Sequence, residues 1–118
     1  MPAGSNKADI NTRKDLEKLI SLFYDKLLAD TEIGHFFVKL NLSTHLPLVV
    51  DFWAFIVLNE PGYKRNMMEA HAPLNLKKSD FDRWYVLFSE SIDENFQGEK
   101  AALMKTRAQL IGWTMFSK

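Results

Sequence analysis

The sequence predicts an all-α domain, and three observations carry that expectation. Leu16, Leu19, Ile20, Phe23 and Leu27 fall at helical spacing, and Phe81, Trp84, Tyr85, Phe88 and Ile92 repeat the pattern later in the chain. From Leu46 to Leu58 the chain is apolar almost all round, which marks a helix buried on more than one side. No stretch alternates with a period of two for long enough to make a strand. With 118 residues the chain is one domain in size, and such a domain buries roughly two thirds of its unfolded surface. Residues 1–9 read as a flexible tail and residues 10–118 as the single domain.

The elements follow in order. Asn11 or Thr12 caps the first helix, and Thr12-x-x-Asp15 has the form of a capping box with Asp in place of Glu. That helix, or two short helices run together, ends near Asp30, with Tyr24 and Leu28 flanking the apolar stripe. A tyrosine in such a place is either a core residue whose hydroxyl finds a backbone partner or a donor aimed at a bound ligand. Ile33 to Phe37 form a turn followed by two aromatics, and Gly34 suits a helix C-terminus. Those phenylalanines anchor the loop or wedge against a flat cofactor. Ser43 or Thr44 is the expected cap of the second helix. Pro47 is tolerable only in a first turn, which puts His45 at or just before the helix start. Asn59 to Gly62 end this helix. Tyr63 to Met68 read as irregular, and Met68 to His71 as at most one helical turn, stopped by Pro73. Ser79-x-x-Asp82 offers a second capping box ahead of the aromatic stripe, which Gln97-Gly98 closes. Glu99 opens the last helix, with Leu103, Leu110, Ile111 and Met115 on one face. The helices are expected to cross at angles rather than to form a long regular bundle.

Composition narrows the function. Lys+Arg and Asp+Glu both number 15. There is also no basic run interleaved with aromatics, so a nucleic-acid partner is not expected. The absence of cysteine excludes disulfides, thiolate catalysis and cysteine-held zinc or iron–sulfur sites. The first residues lack an apolar signal region, and the Leu46–Leu58 run is broken by Asp51 and too short to span a bilayer. A soluble, cytoplasmic protein without a membrane partner is the expectation. Apolar residues make up 47% and include nine Phe, a core that is either simply well packed or large enough to wall a pocket.

The stretch Gly62 to Leu76 is organised around His71. His71 reads either as a partly buried histidine beside a helix end or as the axial ligand of a haem iron. The other two histidines, at 35 and 45, make a three-histidine zinc site a poor fit, because their spacing follows no metal-binding pattern. The carboxylate pairs Asp93-Glu94 and Asp80 with Asp82 sit at helix ends or on polar faces, as solvated surface does. One imidazole on one face of a flat apolar slot, with a second imidazole and a phenol on the other, is the set that a five-coordinate haem needs.

At this point a resemblance enters. Phe23-Tyr24, Ile33-Gly34 with Phe37, and His45 followed eight residues later by Phe52-Trp53 resemble the group III truncated haemoglobins. So do Gly62-Tyr63, His71 and Leu74, the Phe81-x-x-Trp84-x-x-Leu87-Phe88 stripe, and Arg107-Ala108-Gln109 with Ile111. The double-glycine motifs typical of groups I and II are not found. Related sequences often carry a glycine and a proline where this one has Arg65 and Met67.

The resemblance implies a truncated globin, a two-over-two helical sandwich enclosing haem b, with His71 as the proximal iron ligand. It implies Tyr24, His45 and Trp84 on the distal side, where they meet the gas. It implies Phe23, Phe37, Val49, Phe52, Trp53, Tyr63, Arg65 and Met67 against the cofactor, with Arg65 and Lys64 within reach of a propionate. The implied function is reversible binding of oxygen or another diatomic gas (nitric oxide, carbon monoxide), of the oxygen-transport type. A haem peroxidase or nitric oxide dioxygenase fed by an external reductase is the alternative.

Overall fold

The computed structural model describes residues 7–39, 41–61 and 77–116, with side chains described as far as Gly112. Within them lie four α-helices: α1 Arg13–Ala29, α2 Leu42–Val57, α3 Lys78–Asn95 and α4 Glu99–Phe116. A 3-10 turn, Gly34–Phe36, follows α1. Among the described residues there is no strand. α1 packs on α2 and on α3, and α4 packs on the same two helices, so the four form a two-over-two sandwich. The turn expected at Met68–His71 lies outside the described residues.

α1 starts as its spacing requires. Thr12 Oγ1 accepts from the Asp15 backbone N–H at 3.2 Å, and the Asp15 carboxylate accepts from the Thr12 N–H at 3.0 Å. Both arms of the box are present, and each satisfies a donor that the first turn otherwise leaves without a partner. Leu16, Leu19, Ile20, Phe23, Tyr24 and Leu27 form the buried face. Burying each of the aliphatic ones stabilises the fold by roughly 1.5–3 kcal/mol. Asp30 is the C-cap. The chain then turns so tightly that a Cβ at Gly34 would lie 2.8 Å from the carbonyl oxygen of Leu28. Only glycine lets this turn lie against the end of α1.

α2 begins earlier than the sequence suggested. Asn41 precedes it, its carbonyl accepting from Thr44 N–H at 3.2 Å and His45 N–H at 2.9 Å. Ser43 and Thr44 are therefore helical rather than caps, His45 lies inside the helix, and Pro47 falls in the second turn. The proline removes one backbone donor, and the carbonyl it would have bonded belongs to exposed Ser43, where water can reach it. Asn59, in the left-handed region at φ 57°, turns the chain away after the helix, and Glu60 N–H bonds back to the Ala54 carbonyl.

α3 also starts two residues before its expected box. Asp80, not Asp82, reaches back to the backbone N–H of the residue ahead of the helix, Lys77, at 3.0 Å. Asp82 instead pairs with Lys78 one turn earlier at 3.2 Å. In α4 the buried face is Ala101, Met104, Ala108 and Gly112, whereas Leu110 is exposed and Leu103 and Ile111 are half-buried. The small residues win because α4 approaches the rest of the sandwich closely, and the Phe81 ring occupies the space a side chain at Gly112 would need. Ala8 and Asp9, ahead of α1, are tied to this region. The Ala8 carbonyl accepts from Gln97 N–H, and the Asp9 carboxylate accepts from the Lys100 and Ala101 N–H groups at 2.9 Å each.

Three carboxylates titrate low, and the sign of the pH effect follows. The Asp30 carboxyl is held below the usual range by the Arg83 guanidinium, helped by two backbone N–H donors. Hydrogen bonds from Asn11 and Thr12 do the same for Asp15. For Asp9 burial pushes upward, but three backbone N–H donors outweigh it. A depressed folded-state pKa means the unfolded chain takes up the proton first. The stability these groups contribute is full above the unfolded value of 3.8 and is lost as pH falls below it. The melting temperature is expected to fall steeply below about pH 4, and Asp30→Asn is expected to flatten that fall. A variant melting curve parallel to wild type from pH 7 to 2.5 would remove Asp30 from this account.

Candidate functional site

α1, the turn after it and α2 converge on one hydrogen-bonded pair. Tyr24 on α1 and His45 on α2 meet with Oη and Nε2 2.7 Å apart. Tyr24 is only 4% exposed. Burial raises its pKa, so the phenol stays neutral and keeps its proton at any physiological pH. Its O–H and the imidazole nitrogen are the polar tips in a wall that is otherwise aromatic. Phe37, from the turn, meets the Tyr24 ring edge-on at 6.5 Å between centroids, and His45 meets it at 5.4 Å.

Beside Tyr24, the Phe23 ring stands edge-on to Trp84 at 5.3 Å and to Phe88 at 5.0 Å. Trp84 stacks on Phe88 at 4.9 Å and on Phe81 at 5.3 Å. Trp53, from α2, stacks on the same Phe88 at 5.4 Å and touches Phe52 at 5.0 Å. Three helices thus share one aromatic layer with Phe88 at its centre. Each offset or edge-on pair adds about 0.5–1.5 kcal/mol beyond area burial. The layer therefore fixes where Tyr24 and Trp84 stand relative to each other.

Of the residues expected at the site, the structure brings Tyr24, His45 and Phe37 into contact and places Phe23 between Tyr24 and Trp84. Phe52 and Trp53 are buried on α2, and Val49 is half-buried one turn before Trp53. Tyr63, Arg65, Met67 and His71 lie outside the described residues. His35 is exposed, its ring against Phe36 at 4.2 Å. Among the described residues, no group of three His, Cys, Asp or Glu side chains is placed to hold a metal ion. Sequence reasoning missed Phe88 as the hub of the layer and missed Asp30 with Arg83, which are 53 residues apart. No local signal links those two positions. The donor set fits the distal face of a haem group: two polar tips joined by one hydrogen bond, in a wall with little else for water to bind.

No family model matches the chain. The chain is 26% identical over 112 residues to the group 3 truncated hemoglobin ctb of Campylobacter jejuni, covering 89% of this chain and 88% of that protein. It is 38% identical over 64 residues to the group 1 truncated hemoglobin of Tetrahymena thermophila. With the corresponding protein of Tetrahymena pyriformis it shares 34% over 68 residues. These two matches span 53% and 56% of the Tetrahymena proteins, about half their length. The crystal structure of the group III truncated hemoglobin from Campylobacter jejuni superposes with a TM-score of 0.81 at 25% identity, over 92% of this chain and 91% of that one.

A two-over-two helical sandwich of this kind, with homology to haemoglobins, defines a globin-type haem protein. Within that class the similarity running almost end to end in both sequence and fold is to the group III truncated haemoglobin of Campylobacter jejuni. Among the described residues no helix is long and apolar enough to cross a membrane.

Proposed function

We propose that this protein reversibly binds oxygen, or a diatomic gas of similar polarity, at a haem b held by His71. The observation that supports the reading is the buried Tyr24 hydroxyl at 2.7 Å from His45 Nε2. When bound, haem would be held by His71 and would supply an iron able to bind the gas. The chain's residues do the rest. Tyr24, neutral and shielded from water, donates its O–H to the gas in place of His45. Trp84 contributes an indole N–H from the adjoining helix. Phe37 and Phe23 keep the surroundings apolar, so these donors face little competition from solvent. His45, half-buried on α2, would hold the Tyr24 hydroxyl through their shared hydrogen bond when no gas is present.

The deciding experiment uses protein loaded with haem. Optical titration with oxygen is expected to give saturable, fully reversible binding to the ferrous form. Rapid turnover with hydrogen peroxide and an electron donor, or with nitric oxide and a reductase, at rates that outrun oxygen release would replace this reading with the enzymatic one. The two readings make different demands on the site. Gas storage needs donors that hold a neutral ligand, and these residues supply them. Turnover needs an external electron source as well.

Trp84 is expected to act as a donor and not only as packing. Trp84→Phe keeps most of the stacked layer and removes the N–H, a net loss on the order of 1 kcal/mol. This corresponds to a roughly fivefold change in oxygen dissociation rate. If the variant lowers only the melting temperature and leaves oxygen dissociation unchanged, Trp84 is core alone.

A further inference from the structure

We propose that Asp30 and Arg83 are the positioning pair of the distal pocket, holding Trp84 at its working distance from Tyr24. The inference rests on the gas-binding reading of that pocket. One carboxylate joins the three elements that build this side of the site. Asp30 ends α1, the helix that carries Tyr24. Its Oδ2 accepts the backbone N–H groups of Glu32 and Ile33 at 3.1 Å each, and its carbonyl accepts from Gly34, so it also shapes the turn that presents Phe37. Its Oδ1 accepts both Nε and Nη2 of Arg83, at 2.9 and 2.7 Å. Arg83 immediately precedes Trp84 on α3.

The carboxylate is buried, with 5% of its side chain exposed, although the guanidinium is 39% exposed. The exposed half makes the pair a modest source of stability. Its geometry is the stronger feature. Four hydrogen bonds fix the carboxylate, and the arginine fork fixes the rotation of α3 about that point. Rotation of α3 is what would swing the Trp84 indole along the Phe23 edge, since the two rings meet edge-on at 5.3 Å. Glu32 also approaches Arg83 Nε at 3.1 Å, but its side chain is 67% exposed. It serves as the control.

Two measurements test the pair. The first needs no gas and no haem. The protein has three tryptophans, so labelling with 5-fluorotryptophan gives a small set of fluorine resonances, assigned by single replacement. Arg83→Ala is expected to shift or broaden the Trp84 line and leave the Trp53 line in place, and Glu32→Gln to move neither. An unmoved Trp84 line overturns the proposal. The second uses the haem-loaded ferrous protein. Arg83→Ala is expected to speed oxygen dissociation about 3- to 10-fold while carbon monoxide dissociation changes less than about twofold, and the effect is expected to vanish when Trp84→Phe is already present. Effects that simply add, or equal changes for both gases, assign Arg83 a structural role only and also overturn it. Should Arg83→Ala fail to fold, Arg83→Lys, which keeps the charge and loses the fork, is read in the same way. If the haem-loaded ferrous protein fails to bind oxygen reversibly, the gas-binding reading falls, and the fluorine measurement still decides whether the pair positions Trp84.

Discussion

His71→Ala is expected to purify largely free of haem and to bind added haem without the wild-type ferrous and carbon monoxide spectra. The chain has three histidines. His35 is exposed and lies on Phe36. His45 is engaged with the Tyr24 hydroxyl. His71 is the remaining imidazole, and homology to the group III proteins runs through its region. A ligand that binds only the folded chain stabilises it by about 4 kcal/mol when present at a thousandfold excess over its dissociation constant. Added haem should therefore raise the wild-type melting temperature by several degrees and raise that of His71→Ala far less. Free imidazole should restore part of the wild-type spectrum by filling the space left by the side chain. A variant with unchanged ferrous and carbon monoxide spectra would show that another group holds the iron.

Tyr24→Phe is expected to speed oxygen dissociation by roughly 5- to 100-fold and to change carbon monoxide dissociation much less. Dioxygen in such a site is a far better hydrogen-bond acceptor than carbon monoxide, so a donor holds the first selectively. A hydrogen bond shielded from water is worth on the order of 1–3 kcal/mol net, and each 1.4 kcal/mol is about tenfold in rate or affinity. Tyr24 meets the condition of shielding, since it is 4% exposed, and burial keeps it protonated. The hydroxyl has a second partner, His45, and this sets the size of the effect. Where the tyrosine leaves His45 to meet the gas, its own gain is reduced by the bond it gives up, and the factor lies toward the low end. Because Phe23 packs against both Tyr24 and Trp84, the two single variants are not expected to add. Equal acceleration for both gases would mean that Tyr24 acts through its volume, and no change for either would take it out of the site.

Local pattern accounts for much of what the sequence alone determined. α1 was legible from cap to end because Thr12, Asp15 and the stripe from Leu16 to Leu27 act within a few turns of one another. The all-α class followed from the same periodicity, and the short motifs around Tyr24, His45 and Trp84 pointed to the family that homology and fold then bore out. Helix starts were less legible. Asn41 and Lys77 took the places expected of Ser43 or Thr44 and of Ser79, because several polar residues stand within one turn and packing selects among them. The buried face of α4 was misjudged for a related reason. Hydrophobicity singled out Leu110, but close approach of the helix selects the small residues Ala101, Ala108 and Gly112.

What only the tertiary structure decided are the pairings across the fold. Tyr24 and His45 are 21 positions apart, and Asp30 and Arg83 are 53. A hydrogen bond depends on a separation known to a few tenths of an ångström. Helical periodicity gives the direction of a side chain on its own helix. It says nothing of the distance or rotation between two helices, which is fixed by the packing of all their side chains at once. Residue types therefore named the chemistry available to this chain, and the crossing of α1 with α2 and α3 determined which of those residues meet.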